Sequence, residues 1–253
     1  MRLMLSLVAL VLVGYLATCA ALYFAQRSLI YHPQPARGAS PHPALRLAVD
    51  GAELTVATAP AAGPRALLYF GGNAEDVTAG LAQLARDFPG HALFLMHYRG
   101  YGGSTGSPSE AALQSDALAL YDRVRASHPD IVVVGRSLGS GVAVRLASER
   151  PVRALVLVTP YDSLVGIAAR QFPVFPVRWL LKDRFDSHRY APNVSAPTLL
   201  IAAEHDEVIP AASTARLAAS FRPGVARLEV IAGSGHNTIS LSPAYAQALR
   251  SVR

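Results

Sequence analysis

The chain predicts an α/β fold in which a mostly parallel central sheet carries helices on both faces. Three observations lead there. Short apolar runs alternate with helical stretches along most of the sequence, the pentapeptide Gly135-Arg136-Ser137-Leu138-Gly139 joins one such run to a small-residue helix start, and two later apolar runs empty into loops bearing Asp206 and His236. Strands that alternate with helices pair in parallel through right-handed crossovers.

Taken in order, Leu3 to Ala25 comes first, 23 residues without a charge. As a helix it would extend ~35 Å, against a hydrocarbon core of ~30 Å. It is expected to be a single-pass membrane helix. A cleaved secretory peptide and a lipid-modified Cys19 are the alternatives, but no small-x-small site closes the stretch before Arg27, and Thr18 fits poorly ahead of a lipidated cysteine. Arg2 flanks one end and Arg27 and Arg37 the other, so charge does not assign the side on which the domain lies. Residues 1–27 are expected to form the anchor, 28–44 a proline-rich connector and 45–253 the α/β domain. A domain of that length is large enough to bury a substantial core.

Ala66–Phe70, Ala92–Met96, Ile131–Val134, Ala154–Val158, Thr198–Ala203 and Leu228–Ile231 read as strands, with a helix over Ser109–Ser127 and another after Ser137. At Gly135–Gly139 a strand turning sharply into a helix would expose Ser137 at the carboxyl edge of the sheet. Gly135 and Gly139 supply the missing Cβ atoms that so tight a turn needs. Ser137 is the candidate nucleophile. A nucleophilic serine requires a base and a carboxylate to orient that base. His236 follows a strand and the small residues Gly233 to Gly235, and Asp206 follows the run ending at Ala203. Glu204 and Glu207 compete with Asp206 for the role of acid, Asp162 is the reserve, and His205 and His97 are weaker candidates for the base. Gly71-Gly72-Asn73-Ala74 follows the first of these strands, so the backbone amides of Asn73 and Leu138 are the expected oxyanion donors.

The segments Phe70 to Val77, Tyr98 to Glu110, Gly135 to Gly141, His205 to Pro210 and Gly233 to Asn237 together resemble the α/β-hydrolase family of serine hydrolases, in particular its membrane-anchored, serine-aminopeptidase-like branch. The resemblance covers roughly three quarters of the chain, from about Ala66 onward. It implies hydrolysis of an ester, thioester, amide or peptide through an acyl-enzyme, and it leaves the substrate open. Two departures stand out: Gly71-Gly72 replaces the His-Gly of many relatives, and His97 replaces an Asp before Tyr-Arg-Gly-Tyr-Gly.

The short interval between Asp162 and Thr198 would hold a compact cap, either an apolar rim gripping an acyl chain or a helix packed on the sheet. Asp183 and Asp186 are the few carboxylates there that could recognise a free amino terminus. Net charge is +6, but only 16% of residues are charged and no basic cluster is present, which argues against a nucleic-acid partner. No residue grouping has metal-ligand spacing, and neither metal nor cofactor is expected. The sequence therefore anticipates a membrane-tethered serine hydrolase of acyl esters or thioesters, its substrate a small or lipid-like acyl compound. A peptidase and a non-catalytic scaffold are the alternatives.

Overall fold

The computed structural model describes residues 1–35 and 43–252, so that residues 36–42 of the expected connector lie outside the described residues. Helix α1 (Arg2–Ile30) is a single run of 29 residues, continuing three positions beyond the expected anchor. It is long and apolar enough to cross a membrane by length and composition, and its most apolar window is not buried by the rest of the chain.

Among the described residues the sheet has eight strands, in the order β1-β2-β4-β3-β5-β6-β7-β8. The edge pair, β1 (Ala44–Val49) and β2 (Ala52–Ala59), is antiparallel, and β2 also runs antiparallel to β4 (Ala92–Met96). All other pairings, which add β3 (Arg65–Phe70), β5 (Asp130–Arg136), β6 (Ala154–Val158), β7 (Thr198–His205) and β8 (Ala226–Gly235), are parallel. The β1-β2 hairpin is absent from the strands anticipated above. β1 alternates in burial and β2 mixes polar with apolar residues instead of forming a continuous apolar run, so the hairpin's sharpest sequence mark is the two-residue Asp50-Gly51 turn, where Gly51 has φ +69°.

The period of two along each strand builds two cores. Leu68, Phe70, Val133, Leu155 and Leu157 face one side, with helices α3 (Glu110–Arg125) and α4 (Leu138–Glu149). Leu67, Tyr69, Val132, Val134 and Val156 face the other, with α2 (Leu81–Asp87) and α9 (Pro243–Arg250). Central strands covered on both faces must be apolar throughout, which is why they read as unbroken runs. Ser109, the expected start of the helix, instead caps α3 by accepting from the Ala112 amide. The cap comprises α5 (Leu164–Gln171), α6 (Val177–Leu180) and α7 (Ser187–Tyr190), and α8 (Ala211–Ser220) follows β7.

Candidate active site

Three strands end at the same edge of the sheet, and each hands over directly to one candidate residue. Ser137 follows β5, Asp206 follows β7 and His236 follows β8. The last two strands run further than the apolar runs suggested, because β7 and β8 stay paired as far as His205 and Gly235 across an irregularity between Ala203 and His205. The parallel ladder itself thus delivers residues that are 99 and 30 positions apart to one place.

At the β5-α4 turn Ser137 has φ +47° and ψ −116°, a conformation few side-chain-bearing residues adopt. The surroundings impose it: a Cβ on Gly139 would stand 2.0 Å from the Phe70 carbonyl oxygen, and one on Gly135 2.4 Å from the Gly139 oxygen. The Ser137 amide donates to Val158 in β6 at 2.9 Å, fixing the turn to the sheet. Its hydroxyl stays partly exposed at the N-terminus of α4, where the helix dipole favours negative charge.

His236 Nε2 lies 3.0 Å from Ser137 Oγ, while Nδ1 faces both Asp206 oxygens at 2.9 and 3.0 Å. With Nδ1-H donating to the carboxylate, Nε2 is left as an acceptor for the serine proton. Both the imidazole and the Asp206 carboxylate are almost fully buried, their side chains 7% exposed. Asp206 Oδ1 also accepts from the Val208 and Ile209 amides, at 3.0 and 2.7 Å, so its orientation is set by its own loop. Glu207 accepts the His236 backbone amide at 3.0 Å, and that bond is the main cause holding Glu207 below the usual carboxylate range.

The Gly71–Ala74 loop runs beside the serine, and a Cβ on Gly72 would lie 3.6 Å from that of Ser137. Glu75 claims the Gly72 amide at 2.6 Å, bonds Tyr69 at 2.7 Å through its other oxygen and pairs with Arg136 at 3.3 Å. Arg136 in turn reaches the His236 carbonyl at 3.5 Å. Among the described residues no acceptor engages the amides of Asn73 or Leu138, which is the condition an oxyanion donor must meet. The Asn73 side chain is committed elsewhere. Its Oδ1 accepts from the His32 amide and the Tyr101 hydroxyl, at 3.0 and 2.8 Å, and Nδ2 donates to the Ile30 carbonyl. Tyr98 adds a 2.8 Å bond to the Gly71 carbonyl.

Glu75, Arg136, Tyr98 and Tyr101, which brace this loop, were not singled out by sequence reasoning. Each sits inside one of the resembling segments, but the contacts that join those segments, Glu75 to Arg136, Tyr98 to Gly71 and Tyr101 to Asn73, link residues distant in the chain. The competing candidates are occupied: Asp162 accepts from Ser213 and Arg216, at 2.5 and 2.6 Å, Glu204 accepts the Gly233 amide at 2.8 Å, and exposed His205 pairs with Glu204. His97 is buried with its ring against Gly102, and burial lowers its pKa, countered in part by Asp76. Among the described residues its ring makes no hydrogen bond to a triad residue, and its carbonyl accepts from Ser104 at 2.9 Å.

A family model described as the alpha/beta hydrolase fold matches residues 67–191. By sequence the chain is similar to an uncharacterized protein of Mycobacterium tuberculosis, 42% identical over 187 residues, covering 71% of this chain and 65% of that protein. It is also 32% identical over 143 residues to the lysophosphatidylserine lipase ABHD12 of Macaca fascicularis, a match that covers 48% of this chain and 35% of that one. The chain thus spans less than two thirds of the length of these relatives. An esterase of Pyrococcus furiosus superposes with a TM-score of 0.70 at 19% identity, covering 88% of this chain and 99% of the esterase. The eight-stranded sheet, the matched segment and the shared architecture place the chain among the α/β-hydrolase-fold proteins.

Proposed function

We propose that the protein is a membrane-anchored serine hydrolase that cleaves acyl esters or thioesters through an acyl-enzyme. Ser137 attacks the carbonyl, His236 takes its proton and returns it to the leaving group, and Asp206 stabilises the imidazolium. The amides of Asn73 and Leu138 hold the oxyanion, and water, activated by the same histidine, releases the acid. The observation that carries this reading is the chain of contacts from Ser137 Oγ through His236 to Asp206, at 3.0 and 2.9 Å, with the imidazole buried.

The peptidase alternative needs a free carboxylate above the serine to recognise an amino terminus. The two cap carboxylates are already engaged: Asp183 by Arg27 and Tyr31, Asp186 by Ser163 and Arg184. Anchoring by α1 fits its apolar length, and the likeness to ABHD12, a lysophosphatidylserine lipase, supports a lipid acyl ester as substrate. The test is a substrate profile of the full-length protein in detergent across acyl esters, acyl thioesters and aminoacyl amides, with Ser137→Ala alongside. Turnover of esters or thioesters that Ser137→Ala abolishes is expected. Turnover confined to aminoacyl amides would favour the peptidase, and no Ser137-dependent turnover would favour a scaffold.

A further inference from the structure

The cap is laid along α1 at a depth that carries a consequence. Tyr15 donates to the Val174 carbonyl at 2.9 Å and stacks on Phe175, with ring centroids 5.8 Å apart and planes within 5°. Tyr15 lies ten residues before Ala25, the end of the charge-free stretch, or ~15 Å along the helix. At the other end of the contact the chemistry turns polar. Gln26 donates to the Leu180 carbonyl at 3.0 Å and accepts the Lys182 amide at 2.6 Å, and Arg27 makes a two-toothed pair with Asp183. The cap therefore descends beside α1 from a polar collar at Gln26 and Arg27 into the apolar part of the helix.

Phe172–Leu181 is built for such a setting. Arg178 is its single charge, and Val174 and Trp179 are 71% and 86% exposed. The amides of Phe172, Phe175, Val177, Trp179, Leu180 and Leu181 bond to carbonyls and Pro173 and Pro176 have none to satisfy, which leaves those of Val174 and Arg178 without a carbonyl partner among the described residues. In hydrocarbon an unpaired amide costs several kcal/mol, so pairing six of the eight amides removes most of that cost. Trp179 and Lys182, whose ammonium lies 3.7 Å from the Tyr23 ring centroid, are side chains that favour the membrane interface.

Between helix and cap runs an apolar groove lined by Leu22, Leu29 and Ile30 on one wall and by Ala168, Phe172 and Leu180 on the other. One of its lining residues is Ile30, whose carbonyl accepts from Asn73 in the loop beside Ser137. We propose that Phe172–Leu181 lies within the membrane beside α1, and that this groove receives the acyl chain of a bilayer lipid and leads its carbonyl toward Ser137. The inference rests on the acyl-hydrolase reading above and names its substrate: a lipid reached from the bilayer and not from water. A helix that both anchors the domain and forms one wall of the groove has reason to carry Arg27, whose partner Asp183 is buried and would otherwise lose its charge partner.

Trp179 is the only tryptophan in the chain, so its fluorescence reports the depth of the cap directly. The full-length protein is reconstituted in phosphatidylcholine vesicles with or without bromine on the acyl chains. Quenching of at least half the emission by the bromolipid, with little quenching by aqueous iodide, is expected. Full quenching by iodide with none by bromolipid overturns the membrane placement, and cross-linking to a second copy through this face would do the same. The groove is tested by Ala168→Phe and, on the facing wall, Leu22→Phe. In at least one folded variant the kcat/KM ratio of a dodecanoyl over an acetyl ester should fall tenfold or more. An unchanged ratio in variants that still react with a fluorophosphonate at Ser137 overturns the groove. A wild-type protein that does not react at Ser137 overturns the hydrolase reading, and the groove assignment with it.

Discussion

The carboxyl edge of the sheet and the α1-cap face are organised on opposite principles. At the edge, each triad residue is the first beyond a parallel strand, buried in β5 and over most of β7 and the outermost of the sheet in β8, and the positions are held by ladder bonds and by cores on both faces of the central strands. At the cap, helices of four to eight residues are tied to α1 by a few polar contacts and leave large apolar side chains exposed. The first arrangement holds geometry to a fraction of an ångström, which proton sharing needs. The second gains little from packing in water and suits an apolar surrounding.

The largest effect should come from breaking the rigid region. Ser137→Ala is expected to lower kcat by about a million-fold if the triad acts as a unit, measured as steady-state ester hydrolysis. Asp206→Asn, which keeps the shape and spoils the tautomer, should cost about ten-thousand-fold in the same assay. Glu75→Gln loosens the tie between the Gly72 amide and Arg136, so kcat should fall about tenfold or more with KM little changed. A fall in melting temperature without that kcat effect would make Glu75 merely structural.

The cap contact should respond more gently. Asp183→Asn removes the buried partner of Arg27 and Tyr31 and should cost about 2 kcal/mol of stability, since a charge-assisted bond contributes ~1.5–3 kcal/mol and the freed Arg27 is half exposed. Thermal denaturation of the full-length protein in detergent reads this loss. The smallest effect concerns pH. Burial lowers the pKa values of both His97 and His91 in the folded state, so the unfolded chain binds more protons as pH drops below its own value of ~6.5. Stability is therefore full above that value and is lost as pH falls through the folded pKa. The melting temperature should drop between pH 7.5 and 5.5, and His97→Asn should flatten that slope.

The same contrast explains what the sequence made legible. The central strands and the elbow stood out because a doubly covered strand must be apolar throughout and because the turn at Ser137 excludes Cβ atoms two residues away. Asp206 and His236 were legible through the runs preceding them. The β1-β2 hairpin was not, because one-sided burial leaves only alternation. Nor were Glu75 and Arg136, 61 residues apart, or the contacts that α1 makes with the cap more than 150 residues later. Their meaning lies in pairings that no local pattern encodes.

The central claim is that Ser137 is made reactive by His236 and Asp206. Peptide mapping by mass spectrometry after fluorophosphonate treatment of the full-length protein tests it most directly. A single adduct on Ser137, lost in His236→Ala, is the predicted result. An adduct on another residue, or one on Ser137 that persists undiminished without the histidine, would contradict the account.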